Sequence, residues 1–407
     1  MKYGLIGEKL GHSFSKVIHE KIADYTYELR EIPKDGLDRF MKEKDFLGIN
    51  VTIPYKSAVI PYLDYIDPIA EKIGAVNTVV NREGKLYGYN TDFGGLKMLT
   101  EKADFDYSNK KVLVLGSGGT SRTAKAVAEN LGADEVIVVS RSGEINYENV
   151  YSLHGDADYI INTTPLGMYP SVEGCAVDVD KFSRLSGVTD VVYNPLKTRL
   201  CLEAEKHNIS SVNGLYMLVC QAVLACSLFT GDESDTDKVA EEIYKELISE
   251  KRNIVLIGMP GSGKSTIGKA LAEKTGKTFY DTDEIISSRY GDIPGIFAEK
   301  GEAYFRDKEF EAVKEVSVYN GAIIATGGGA VLRKENTDAL RQNGMIFFLN
   351  RPLEDIIPTD DRPLSSNFEA LKKRFEERYE IYLSSADKEI YVDGDVTNAV
   401  NRILESL

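Results

Sequence analysis

The sequence predicts an α/β protein built on parallel sheets and divided into more than one domain. Three observations lead there. The short runs that read as strands are mostly apolar throughout rather than alternating, as in strands covered on both faces. They alternate with helical stretches, the pattern of layered α/β folds. Two of them, KVLVLG (111–116) and NIVLIG (253–258), end in glycine-rich turns that open into helices. At 407 residues the chain is too long for one ordinary core.

Taken in order, the expected strands are KYGLIG (2–7), FLGINVTI (46–53), KVLVLG, EVIVVS (135–140), YIINTT (159–164), VTDVVY (188–193), NIVLIG, GAIIATGG (321–328) and MIFFLN (345–350). The apolar stretch Leu215–Phe229 carries Gln221 at its centre and falls short of the roughly 20 residues that span a bilayer, so it reads as a buried helix. Thr230–Arg252 is acidic and helical in pattern, with Ser234 and Asp237 as a capping box. The next strand follows at once, without a Pro/Gly/Ser-rich linker, which places a domain boundary near Lys251.

A net charge of −15 argues against a broad nucleic-acid or anionic-membrane surface. Phosphate sites on such a chain must be built locally, and the expected partners are small molecules. The four cysteines, Cys175, Cys201, Cys220 and Cys226, show neither CxxC nor metal-ligand spacing, which suits a reducing compartment. The first residues become charged too early for a signal peptide. A cytoplasmic location is expected.

The run 110–141 holds strand, glycine turn, helix and second strand in sequence. Gly116, Gly118 and Gly119 allow a tight turn and a close approach to a pyrophosphate, and Thr120 begins the helix whose free amides face the negative charge. The third fingerprint position is Ser121 rather than Gly or Ala. After the second strand, where Asp or Glu holds the ribose hydroxyls of NAD, stand Ser140 and Arg141. An arginine there pairs with a 2′-phosphate, so NADP(H) is favoured. Glu144 lies close by, and no second basic residue is evident.

Polar clusters recur where strands end: Ser13-Phe14-Ser15, Asn50 to Lys56, Gly74 to Thr78, Tyr89-Asn90-Thr91-Asp92, and Gly214 to Gln221. Each has a plainer reading alone, as a turn former, a helix cap, a solvated lysine or a satisfied core amide. Together, in this order around a dinucleotide unit and with NTTPLGMYP (162–170) and DVVYNPLKT (190–198), they resemble the shikimate dehydrogenase family from Lys2 to about Glu250. The resemblance implies a substrate domain over 1–95, completed by helices in 215–250, and an NADP-binding Rossmann domain over 96–214. It implies Ser13, Ser15 and Tyr193 at the substrate carboxylate, and Thr52, Asn77 and Gln221 at ring hydroxyls. Lys56 and Asp92 would be the catalytic pair, with Gly214 among the coenzyme contacts. The implied reaction interconverts 3-dehydroshikimate and shikimate.

In the second half, Gly258-Met259-Pro260-Gly261-Ser262-Gly263-Lys264-Ser265-Thr266 follows a strand and opens a helix, the required setting of a GxxxxGK[ST] loop. Its amides cradle phosphates, Lys264 meets β/γ oxygens and Ser265 reaches Mg²⁺. ATP is therefore expected, and the substrate must be read elsewhere. Asp281, Asp283, Arg306, Gly327-Gly328-Gly329, Arg362 and Arg378 complete a resemblance to shikimate kinase over 252–407. That resemblance implies Asp283 at the attacking hydroxyl, Asp281 near the metal, and Arg306 and Arg378 on the substrate carboxylate. Gly328 and Gly329 would lie by the ring, and Arg362 would come from a lid. The acidic EDIIPTDD before Arg362 is shorter than the family's usual lid and lacks its additional arginine.

Both halves thus point to one small molecule, the product of the first serving as substrate of the second. The alternatives are the same folds acting on quinate or another polyol, and a non-catalytic sensor of such ligands. Against the sensor, Lys56, Asp92, Lys264 and Asp283 are all in place and no basic DNA-binding arm is present. The sequence leaves the oligomeric state open.

Overall fold

Strand pairing follows the apolar runs and adds short polar strands at the margins. The computed structural model describes residues 1–11, 14–232, 235–356 and 368–407, and the chain separates into two units, Met1–Glu246 and Leu247–Leu407.

The first unit holds two sheets. One is six-stranded: β1 (Tyr3–Gly7), β2 (Tyr27–Glu31), β3 (Gly48–Val51), β4 (Tyr65–Ile66), β5 (Thr78–Arg82) and β6 (Lys85–Tyr89), in the order β2-β1-β3-β5-β6-β4. Its β1, β2 and β3 are parallel, but β5 runs antiparallel to both β3 and β6. This departs from an all-parallel expectation. The cause is local: Glu83 and Gly84 have φ of 56° and 84°, the left-handed pair that closes a two-residue hairpin.

The second sheet is five-stranded and parallel: β7 (Lys111–Leu115), β8 (Glu135–Val139), β9 (Tyr159–Asn162), β10 (Gly187–Asp190) and β11 (Ser210–Asn213), ordered β11-β10-β9-β7-β8. The direction of strand addition reverses between β7 and β9, and a crevice opens at their carboxyl ends, where ligands of doubly wound sheets bind.

The second unit carries one parallel sheet of β12 (Asn253–Ile257), β13 (Thr278–Asp281), β14 (Ala322–Ala325), β15 (Gly344–Asn350) and β16 (Lys388–Tyr391), ordered β13-β14-β12-β15-β16. β12, at the centre, is buried along its whole length.

Two helices frame the first site. Helix Thr91–Lys102 is capped by the Asn90 side chain, which accepts from Phe93 N at 3.1 Å. Helix Leu215–Thr230 is apolar around most of its circumference because it is buried, and it ends at Gly231 in the left-handed conformation. Gly94 and Gly95 let them meet: a Cβ on Gly95 would stand 2.7 Å from Met217 O, and one on Gly94 would stand 2.5 Å from Leu224 Cδ1. The next helix runs from Thr236 to Lys251. Ser234, expected to cap it, lies outside the described residues. Among those described, no helix is long and apolar enough to cross a membrane.

The Gly95 contact makes a direct prediction. Gly95→Ala forces a methyl onto helix backbone, and destabilisation of about 1–3 kcal/mol follows from overpacking. A lowered denaturation midpoint of the first unit is the expected reading, and an unchanged midpoint would mean the helices separate freely.

Candidate active sites

The first site forms where the carboxyl ends of β3, β7 and β9 converge. Lys56 lies in the turn after β3 and Asp92 in the first turn of helix Thr91–Lys102. Lys56 Nζ donates to Asp92 Oδ2 at 2.6 Å, with side chains only 17% and 12% exposed. The glycine turn stands beside this pair, since a Cβ on Gly119 would lie 3.9 Å from Lys56 Cδ.

Asn77 is buried and oriented by its neighbours. Its Oδ1 accepts from Thr91 N at 2.7 Å and from Thr78 Oγ1 at 3.1 Å, and its Nδ2 donates to Thr91 Oγ1 at 3.1 Å. Behind it, Asn50 donates to Thr78 Oγ1 at 3.0 Å and accepts from Tyr27 OH at 2.6 Å. Buried Gln221 faces Gly95 across the helix contact, and its Nε2 donates to Leu218 O at 2.9 Å. Ser15 opens helix Ser15–Ile22, and Phe14 before it packs on the Tyr193 ring with centroids 5.4 Å apart. Burial raises the Tyr193 pKa, keeping the phenol a donor. Thr52 directly follows β3, with its methyl against Gly7. Ser13 lies outside the described residues.

A cavity of about 560 Å³ adjoins the pair. Its lining includes Lys56, Gly116, Gly118, Gly119, Thr120, Ser140 and Arg141. The turn fits a dinucleotide. Gly116 has φ of 110°, and a Cβ there would sit 2.7 Å from Thr163 Oγ1, whereas the space before Gly118 is open. Ser121, the departure from the glycine fingerprint, is buried and donates to Gly116 O at 2.7 Å. Its hydroxyl thus ties down the turn it follows. Gly214 lies outside this lining: it packs on Val191, whose carbonyl oxygen would be 2.1 Å from a Cβ.

Sequence reasoning missed Arg122, which lines the cavity and donates to Ser57 Oγ at 2.8 Å. Its only signal was a basic residue on the helix after the turn. Also unread was the role of the signature segments. Asp190 accepts from Asn162 Nδ2 at 3.0 Å, Val192 N at 3.0 Å and Thr198 Oγ1 at 2.7 Å. Asn162 in turn accepts from Thr164 Oγ1 at 2.7 Å, and Thr164 lines the cavity. These residues hold the cavity wall from behind.

The second site gathers at the carboxyl ends of β12, β13 and β14. A cavity of about 600 Å³ is lined by Gly261, Gly263, Lys264, Ser265 and Thr266, by Asp281 and Asp283, and by Arg306, Gly327, Gly328, Gly329 and Arg378. Lys264 Nζ donates to Gly258 O at 3.0 Å and Met259 O at 2.9 Å. Ser262 is wholly buried beneath the loop. Ser265 Oγ donates to Asp281 Oδ2 at 2.6 Å, and Asp281 Oδ1 accepts from Asp283 N at 3.0 Å. That hydroxyl and carboxylate would suit Mg²⁺, a cation that prefers oxygen ligands. Among the described residues no group of three or more His, Cys, Asp or Glu is placed to hold a metal by itself.

The glycines after β14 make room for charge. A Cβ on Gly329 would come 2.3 Å from Arg306 Nη1, and one on Gly327 would come 2.6 Å from Asp283 Oδ1 and 2.7 Å from Glu309 Oε1. Arg306 donates to Glu309 Oε2 at 2.7 Å and to Glu302 Oε1 at 3.0 Å. Burial raises the Glu309 pKa, and Arg306 opposes that shift. Glu309 was missed in the sequence, although three residues along a helix from an arginine is pairing distance. Arg378 Nη1 donates to Gly328 O at 3.1 Å, where Tyr382 OH also donates. Arg362 and the lid around it lie outside the described residues.

Geometry thus defines two classes of site: a dinucleotide crevice beside a lysine–carboxylate pair, as in an oxidoreductase, and a phosphate loop facing carboxylates and arginines, as in a phosphotransferase. Comparison with known proteins makes both particular. Residues 5–79 match the shikimate dehydrogenase substrate binding domain, and residues 260–407 match shikimate kinase. The NADP(+) shikimate dehydrogenase of Clostridium perfringens (strain ATCC 13124) is 37% identical over 265 residues, covering 60% of this chain and 97% of that protein. Shikimate dehydrogenase 1 from Peptoclostridium difficile is similar in structure at 34% identity and a TM-score of 0.55, covering 60% of this chain and 99% of the other. A chorismate mutase/shikimate 5-dehydrogenase fusion protein from Clostridium acetobutylicum is similar at 36% identity and a TM-score of 0.56, covering 60% and 97%. The chain belongs to the shikimate dehydrogenase family and carries a shikimate kinase domain after it, making a bifunctional enzyme of the shikimate pathway.

Asp190 supplies a pH prediction. Burial pushes its pKa up to about 6, above the ordinary value near ~4. A raised folded-state pKa adds stability that is complete below the unfolded value and is lost as pH rises through the folded one. Two units correspond to roughly 2–3 kcal/mol. Asp190→Asn keeps the shape without the buried charge, so its melting temperature should gain on wild type as pH rises from about 4 to about 6.5. A constant difference across that range would refute the assignment.

Proposed function

We propose that the first unit reduces 3-dehydroshikimate to shikimate with NADPH, reversibly, and that the second phosphorylates shikimate with ATP to shikimate 3-phosphate. The observation that carries the first reading is the Lys56–Asp92 contact beside the glycine turn. NADPH, when bound, supplies the hydride to the carbonyl carbon. As alkoxide character develops, the Lys56 ammonium stabilises the oxygen and donates a proton to it, and water later restores that proton. Asp92 accepts the Lys56 hydrogen bond and so aims its Nζ. Ser13, Ser15 and Tyr193 would take the carboxylate, and Thr52, Asn77 and Gln221 the ring hydroxyls. Residues 1–95 with the helices after 215 would form the substrate domain, and 96–214 the coenzyme domain. Arg141 supports NADP over NAD.

In the second unit, taken as 252–407, Asp283 would orient the attacking hydroxyl and accept its proton. Arg306 and Arg378 suit a carboxylate through their fixed forks of donors, with Gly328 and Gly329 beside the ring. The γ-phosphoryl passes to the hydroxyl oxygen and ADP leaves, with Lys264 and the loop amides meeting the phosphates; the family resemblance would add Arg362. Ser265 and Asp281 would hold Mg²⁺. A cytoplasmic location fits both cofactors.

A coupled assay tests this. The purified chain receives 3-dehydroshikimate, NADPH, ATP and Mg²⁺, with NADPH loss and ADP release followed separately and quinate as the control substrate. Lys56→Ala should lower NADPH oxidation by at least about 100-fold, the scale of general acid catalysis, while kinase activity on added shikimate persists. Lys264→Ala should do the reverse. Faster turnover of quinate than of shikimate would overturn the substrate assignment.

A further inference from the structure

The cations of the second cavity are mostly committed. Lys264 is bonded to the carbonyls of its own loop, Arg306 to Glu302 and Glu309, and Arg378 to Gly328 O. Arg351 differs. It lines the same cavity, its Nε is buried without a hydrogen-bond partner, and no ion pair to it exists among the described residues. A buried guanidinium nitrogen without an acceptor is costly to keep. The cost is recovered when an anion enters.

Position says which anion. Arg351 follows β15, which pairs with β12 on the side away from β14. The end of β15 abuts the phosphate loop: a Cβ on Gly258 would stand 2.8 Å from Leu349 O, two residues before Arg351. Asp283, Arg306 and the glycine triplet follow β13 and β14, on the opposite side of the loop. We propose that Arg351 is a nucleotide-binding residue, its guanidinium meeting the phosphate chain of the nucleoside triphosphate from the β15 side. An arginine's planar fork suits two phosphate oxygens. This inference rests on the kinase reading of the second unit and assigns a donor-side contact beyond it.

Calorimetric titration of the full chain with ATP and Mg²⁺, and separately with shikimate, tests the assignment without needing turnover. Arg351→Ala should weaken ATP binding about tenfold or more, as loss of a charge-assisted hydrogen bond does, and leave shikimate binding within about twofold. Arg351→Lys, which keeps the charge but not the fork, should recover part of the affinity. ATP binding within about twofold of wild type in Arg351→Ala overturns the proposal. So does an equal loss of both ligands, which marks a structural residue. A wild-type chain that binds ATP yet never phosphorylates shikimate overturns the substrate assignment instead, and the Arg351 comparison still decides the nucleotide contact.

Discussion

Both sites are governed by one constraint: polyanions must be held on a chain of net charge −15. The answer is geometric. Each phosphate-binding turn follows an internal parallel strand, β7 or β12, and presents backbone amides and a helix N-terminus in place of a broad basic face. Everything else arranges itself around those turns. The strand neighbours bring up the reacting residues, and the glycines keep side chains out of the space the phosphates require. Gly116, pressed on Thr163, and Gly329, pressed on Arg306, are two forms of that device. One admits a backbone turn and the other admits a cation.

Much of this was legible because periodicity and punctuation agree there. Every strand expected from an apolar run exists, although FLGINVTI and VTDVVY shorten to Gly48–Val51 and Gly187–Asp190. The strands that escaped, among them YELRE and KEIY, are largely exposed. They lie at sheet edges, where charge blunts further pairing and erases the apolar signal. The β5–β6 hairpin escaped for another reason. In sequence its first residues read as a polar cluster at a strand end, whereas Thr78 begins a strand and bonds into a buried network.

Local motifs likewise announced the residues expected to meet ligand: the two glycine turns, Lys56, Asp92 and the arginines. Residues that act on those residues did not announce themselves. Asp190 and Asn162 stand out in sequence only through the segments that contain them, yet in the fold they form one hydrogen-bonded chain ending at the cavity wall. Glu309 and Arg351 carry no motif. Their meaning arises from burial and from which neighbours are already bonded, quantities that exist only once the chain is folded.

The second cavity shows why such supporting groups matter energetically. An arginine meant for a substrate carboxylate would, if unpaired, be costly to desolvate in the empty site. Glu309 holds Arg306 through Nη1, and Glu302 holds it through Nε and Nη2, so all three guanidinium nitrogens are already bonded. A substrate carboxylate reaching Arg306 would share those nitrogens with Glu302 and Glu309 or displace one of them. Burial alone favours a neutral Glu309, whereas Arg306 favours the ionised form. Added negative charge from a ligand would push Glu309 further towards protonation. If Arg306 meets the substrate as proposed, substrate affinity and the charge of Glu309 would be linked through one guanidinium.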